Sequence, residues 1–145
     1  MKNRYHETMK NFRKADRSFR RAIEKKVACT GVYRSQHQML MNLGKNPDCS
    51  QMELAQKLDI TPAAVTTTIK KLEKEGYITR LAREEDNRVN QIGITEKGQE
   101  IIAQSIRLFD EVERKALRDF TEEEVERLND YVKRIRENLE REELE

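Results

Sequence analysis

The chain has no tryptophan, and its 145 residues include only two cysteines, two histidines, two prolines and five glycines. Each shortage excludes something. Cys29 and Cys49 lack C-x-x-C spacing and are too few for a disulfide framework, so reduced thiols in a cytoplasmic protein are the plain reading. His6 and His37 cannot make a zinc site by themselves, because a structural zinc normally takes four N or S ligands; Asp or Glu would have to complete the set. There is no Gly-rich phosphate loop, no G-x-S-x-G and no H-E-x-x-H, so no enzyme is expected and no catalytic residue, cofactor or metal is assigned. No apolar run approaches the roughly 20 residues that span a bilayer. The opening MKNRYHETMKNFRK has no uninterrupted hydrophobic region to act as a signal peptide, which again points to a soluble, cytoplasmic protein.

Apolar residues are also scarce. They make up 36% of the chain against 39% charged, with a mean hydropathy of −0.95. The length suits one compact domain, with or without extended helical arms. So polar a composition favours long helices that share apolar faces with a partner chain over one large private core. The net charge of +2 hides a gradient: residues 1–34 carry 11 basic and three acidic side chains, and residues 95–145 carry 10 and 16. The opposite signs suggest that the two ends lie near each other.

Along the chain, Tyr5, Met9, Phe12, Ala15, Phe19, Ala22 or Ile23, and Val27 recur at steps of three and four, with Arg and Lys filling the rest of the circumference. The pattern predicts an amphipathic basic helix whose stripe suits packing better than a membrane surface. After Gly31, Ser35 with Gln38 forms a capping-box start for a short helix with Met39, Leu40 and Leu43 inside and Gly44 at its end. Ser50 with Glu53 opens another, in which Leu54, Ala55 and Leu58 face inward and which Asp59 ends. Thr61-Pro62 then supplies a hydroxyl N-cap and a proline at the first helical position. Two short helices separated by a three-residue break make a helix-turn-helix.

In the second of these helices Val65, Ile69 and Leu72 form the buried side, which leaves Ala63, Thr66, Thr67 and Lys70 facing out. Small residues permit close approach, Thr hydroxyls and methyls can meet base edges, and Lys70 can reach phosphate or guanine, so this surface suits a DNA major groove. Thr66 to Thr68 are poor helix formers with no stability role on an exposed face, which counts against an ordinary solvated surface. Gly76 stops the helix. Residues 77–81 and 89–94 then read as a β-hairpin around AREEDNR. Arg83 and Arg88 at its tip can enter a minor groove or bind phosphates, with Asp86 close enough to orient an arginine. Thr95 caps a long helix striped by Ile101, Ile102, Ile106, Phe109, Val112, Ala116 and Leu117. Thr121 with Glu124 opens a last helix striped by Val125, Leu128, Val132, Ile135 and Leu139. These stripes have little to cover in one chain, and a dimer interface explains them economically.

The pair Leu54-Ala55, the helix from Thr61 to Leu72, the run LEKEGYI, the Asp86-Asn87-Arg88 tip and the exit Ile94-Thr95-Glu96-Lys97-Gly98 stand in an order and spacing that resembles the MarR family of bacterial transcriptional regulators. The resemblance implies a mainly α fold with a small β wing in one chain, 1–145: a winged helix-turn-helix lobe over 35–94 and a helical dimerisation region over 1–30 and 95–145. It implies a homodimeric repressor on a pseudo-palindromic operator in double-stranded DNA. The recognition helix would present Thr61, Ala63, Thr66, Thr67 and Lys70 to the major groove, and Arg88, steadied by Asp86 and accompanied by Arg83, would sit at the wing tip. Many relatives carry arginine where this chain has Thr67. The resemblance also suggests a small aromatic or amphipathic effector in the cleft between lobe and dimerisation helices, for which Tyr5, Phe12, Phe19, His37 and Met41 are the candidate lining, with plain core as their other use. Two further readings stand beside it: a winged-helix protein-interaction module without specific DNA binding, and an oxidant sensor acting through Cys29, whose neighbours Lys25 and Lys26 can lower a thiol pKa.

Overall fold

The computed structural model describes residues 3–81 and 91–142. By contact density the chain divides into two compact units, Met1–Val112 and Glu113–Glu145. Helix α1 spans Arg4–Val27 and begins at Asn3, whose Oδ1 accepts from the N–H groups of Tyr5 and His6 at 3.1 and 3.3 Å. Its end tightens into a 3-10 turn, Ala28–Thr30, and stops at Gly31 with φ +72°. Then come α2 (Arg34–Lys45), α3 (Gln51–Leu58), α4 (Pro62–Lys74), β1 (Ile78–Leu81), β2 (Gln91–Ile94), α5 (Glu96–Ala116) and α6 (Glu122–Glu142). The two strands pair antiparallel, with Ile78 opposite Ile94 and Arg80 opposite Ile92.

The start of α2 corrects the sequence expectation. Ser35 and Gln38 do not form its cap; Tyr33 precedes the helix, and Gln36 Oε1 accepts from the Tyr33 N–H at 3.0 Å. Gln36 Nε2 in turn donates to the Glu75 carboxylate at the end of α4, 3.0 Å away. A tertiary partner thus selects which glutamine closes the turn. Gly44 likewise does not end the helix, which runs on to Lys45. A Cβ there would lie 3.2 Å from Ile102 Cδ1, so Gly44 serves packing against α5 rather than a left-handed stop.

Two apolar clusters hold the first unit. The larger joins Met39, Leu40 and Leu43 of α2, Leu54 and Ala55 of α3, Val65, Ile69 and Leu72 of α4, with Val32, Tyr77 and Ile78. The smaller joins Ile23 and Val27 of α1 to Leu108, Phe109 and Val112 of α5, with Phe19, Ala22 and Met41 against it. The buried face of α5 differs from the expected stripe. Gly98, Ser105 and Leu108 turn inward beside Phe109 and Val112, whereas Ile106 and Ala116 are exposed. Ser105 escaped an apolar pattern because it is polar, and its burial depends on a partner in α2.

In the second unit α6 opens with the expected box. The Thr121 N–H donates to Glu124 Oε2 at 2.8 Å, and the Glu124 N–H donates to Thr121 Oγ1 at 3.2 Å. Its apolar stripe stays open to solvent: Leu128, Val132 and Leu139 are 37, 39 and 60% exposed.

Candidate nucleic-acid interface

The turn between α3 and α4 follows from local hydrogen bonding. Asp59 adopts φ 52°, the left-handed region. Its N–H donates to the Gln56 carbonyl at 3.3 Å, and the next N–H, of Ile60, reaches back to the Ala55 carbonyl at 3.0 Å. This double closure ends α3 by satisfying carbonyls that the last helical turn leaves open. Ser50 Oγ accepts the Glu53 N–H at 3.1 Å at one end of the motif, and Thr61 Oγ1 accepts the Ala64 N–H at 3.1 Å at the start of α4. Pro62 costs nothing at that position, where an N–H would have no helical acceptor.

Packing then sets the facing of α4. Val65, Ile69 and Leu72 are fully buried, and Ala63, Thr67 and Lys70 are exposed with Thr66 half-buried. The Thr66 hydroxyl donates toward the Pro62 carbonyl at 3.1 Å and the Gln51 side-chain oxygen at 3.2 Å; the Thr67 hydroxyl donates to the Ala63 carbonyl at 3.0 Å. The bonds to Pro62 and Ala63 run back four residues, the way a threonine hydroxyl is satisfied within a helix, and they do not remove the poor helix propensity of these residues. Gln51, which no sequence pattern singled out, is therefore part of this surface.

The LEKEGYI run and the Ile94-to-Gly98 exit form a single clasp. After α4, Gly76 takes φ +83°, its N–H donates to the Glu73 carbonyl at 3.1 Å, and the Tyr77 N–H donates to the Leu72 carbonyl at 2.9 Å. Thr95 Oγ1 lies 2.7 Å from the Gly76 carbonyl and 3.0 Å from that of Tyr77, and accepts the Gly98 N–H at 3.1 Å. Lys97 Nζ donates to the Glu75 carbonyl at 2.8 Å and stands over the Tyr77 ring. A Cβ on Gly98 would overlap the Tyr77 carbonyl oxygen, so glycine is what lets α5 start this close. With Gln36 holding Glu75 from the other side, the end of α4 is tied to both α2 and α5.

Of the hairpin, Arg80 Nε lies 2.7 Å from Glu73 Oε2, an ion pair between β1 and α4 in which the buried Nε–H has no directed hydrogen bond. Arg83, Asp86 and Arg88 lie outside the described residues.

The five candidate effector residues are not brought together within one chain. Tyr5 is 86% exposed and stands 14 residues before Phe19 on α1, roughly 21 Å along the axis. Phe12 is also exposed, and Phe19 and Met41 pack against the α1–α5 cluster. His37 is fully buried: Nδ1 meets Ser105 Oγ of α5, and Nε2 lies 2.9 Å from Thr30 Oγ1. Ser105 and Thr30 also reach the Ile101 and Val27 carbonyls, each at 2.7 Å. These four contacts need four protons, and a neutral imidazole with two hydroxyls supplies three. That favours the cation, but burial outweighs it and holds the His37 pKa below its ordinary value, the Val32 backbone acting weakly in the opposite sense. A cavity of about 310 Å³ does lie beside Met41, lined also by Gly44, Lys45, Ile94, Gln99, Ile102 and Ile106. Among the described residues no group of three or more His, Cys, Asp or Glu is placed to hold a metal, and no helix is long and apolar enough to cross a membrane. The Cys29 thiol is exposed and donates to the Lys26 carbonyl at 3.3 Å, whereas burial pushes the Cys49 thiol up.

Comparison with known proteins agrees with this geometry. Residues 32–89 match the model of the MarR family. An uncharacterized HTH-type transcriptional regulator of Bacillus subtilis (strain 168), YdgJ, is 34% identical over 112 residues, covering 77% of this chain and 68% of that protein. Among solved structures, a MarR/EmrR family transcriptional regulator from Acinetobacter sp. ADP1 superposes with a TM-score of 0.81 at 26% identity, covering 97% of this chain and 99% of the other. A MarR family transcriptional regulator from Listeria monocytogenes complexed with 26mer DNA gives 0.81 at 25% identity, covering 90 and 87%. With a helix-turn-helix closed on its own core, a match to the family model and a relative 34% identical over most of its length, the chain belongs to the MarR family of transcriptional regulators.

Proposed function

We propose that this regulator binds a pseudo-palindromic operator in double-stranded DNA as a homodimer and acts as a repressor, released by a small aromatic or amphipathic effector. The observation that carries the proposal is the two-sided partition of α4: three apolar side chains fully buried on one face, and small side chains, hydroxyls and the lysines of its second half on the other. Thr61, Ala63, Thr66, Thr67 and Lys70 then face the major groove. Arg88, with Asp86 and Arg83, takes the wing role that the family resemblance assigns it. That the Listeria relative was solved complexed with 26mer DNA supports DNA as the partner.

Homodimerisation is supported by the open apolar stripe of α6, and separately by exposed Tyr5 and Phe12 on α1. The proposed division of labour keeps 35–94 as the reading lobe and 1–30 with 95–145 as the dimerisation region. Two lobes would meet half-sites about one helical turn, roughly 10 base pairs, apart. The cavity beside Met41, with three isoleucines in its lining, suits an amphipathic effector, and binding there would act by favouring one lobe spacing over another.

Fluorescence anisotropy on duplexes from the region upstream of the protein's own gene, across a salt series, tests the proposal. A clear preference over random duplex at moderate salt is expected, and Lys70→Ala should weaken binding while reducing the salt slope by about one. Equal, weak affinity for both duplexes would point instead to a lobe that docks a protein partner.

A further inference from the structure

The hydroxyl protons on the outer face of α4 are already committed. Thr67 gives its proton to the Ala63 carbonyl at 3.0 Å, and Thr66 gives its own to the Pro62 carbonyl or to Gln51. A hydroxyl has one proton and two lone pairs. What Thr67 offers outward is therefore a pair of acceptor sites and a methyl group. It is exposed, with Ala63 one turn before it and Lys70 one turn after it on the same face. Ala63 leaves room above it, and Lys70 is the only cation of the three.

We infer, resting on the DNA-binding proposal above, that Thr67 is a specificity-determining residue that accepts a hydrogen bond from an exocyclic amino group, adenine N6 or cytosine N4, and does not read guanine. To donate to a base acceptor, guanine O6 or N7 or thymine O4, the hydroxyl must first release Ala63. One hydrogen bond is then exchanged for another with no gain. Accepting from an amino group keeps the Ala63 bond and adds a second. The two outcomes differ by one neutral hydrogen bond, a factor of roughly three to ten in affinity. Arginine at this position has donors alone and pairs with guanine O6 and N7. Threonine in its place changes the polarity of the contact, from donor toward the base to acceptor from it.

The test uses the full chain and its Thr67→Val variant, which keeps the shape and loses the oxygen. Selection from random duplex DNA with both proteins identifies the base pair whose preference depends on Thr67. Binding is then measured on duplexes in which that pair lacks its amino group (purine for adenine, or 2-pyrimidinone for cytosine), or lacks its N7 acceptor (a 7-deazapurine). Removing the amino group should weaken the unsubstituted protein about three- to tenfold and leave Thr67→Val unchanged, while removing N7 should affect both proteins equally. The inference is overturned if the N7 change is the one that Thr67→Val masks, or if no base pair responds to Thr67→Val at all. Failure of the unsubstituted protein to enrich any sequence would instead remove the DNA-binding proposal on which it rests. Thr67→Ser should retain the amino preference, since its hydroxyl can make the same internal bond.

Discussion

Helices α4 and α6 carry equally regular apolar stripes at helical spacing, yet they end in different surroundings. On α4, Val65, Ile69 and Leu72 are fully buried within a single chain; on α6, Leu128, Val132 and Leu139 remain more than a third exposed. The periodicity is the same and the difference lies in what each stripe meets. The lobe brings α2, α3, α4 and β1 around one core, whereas the second unit contains one long helix and the end of another. A lobe with the proposed DNA-reading role must hold its outer face rigid, and this one completes its core in cis. Under the proposed function, a helix that joins two copies has to leave its core unfinished.

The contrast is broken most severely inside the lobe. Ile69→Ala should destabilise the protein by about 2–5 kcal/mol, because a fully buried site can only partly collapse around the cavity; chemical denaturation reads this directly, and the loss should not vary with protein concentration. Leu128→Ala should cost less, and its effect should depend on concentration. In a dimer held by α6, the drop in Tm at about 1 μM protein should exceed that at about 100 μM. Equal drops at both concentrations would leave α6 without a role in association.

A smaller effect sharpens the comparison at the lobe's buried polar contact. The folded pKa of His37 lies below its ordinary value of 6.5, so the unfolded chain takes up a proton first as pH falls. The stability present above that ordinary value should therefore decline as pH drops through 6.5 toward the folded pKa and level off below it. Denaturation midpoints across this range should flatten in His37→Asn by the portion that His37 supplies. The smallest effect is at the turn. Asp59→Gly should stabilise the protein by about 0.5–1 kcal/mol, since glycine takes the left-handed conformation without the Cβ penalty. If denaturation shows a loss instead, the Asp59 side chain contributes to the turn more than its backbone strain costs.

Much of the lobe is legible in the sequence. Ser50, Thr61, Gly76 and Thr95 act within three residues of themselves or at one backbone angle, so their roles at helix ends follow from local chemistry. The errors lay where a distant residue decided. Gln36 caps α2 in the company of Glu75, Gly44 is small because Ile102 is beside it, and Ser105 is buried because His37 is. The outward face of α4 was legible from the spacing of its buried residues, but the direction of the threonine protons was not, because a hydroxyl's acceptor depends on the built helix.

The sequence by itself determined the ends of α3 and α4, the start of α6, the apolar faces of α4 and α6, and that the two family motifs stand in the right order, since all of these depend on neighbours within a turn or two. Only the tertiary structure decided that those motifs close on each other through Thr95, Lys97 and Gly98, that His37 is sealed against Ser105 68 residues away, and that α4 is covered within the chain while α6 is not. The reason is physical: helix caps and stripes are settled by local bonding, whereas burial is settled by whichever surface the folded chain brings opposite.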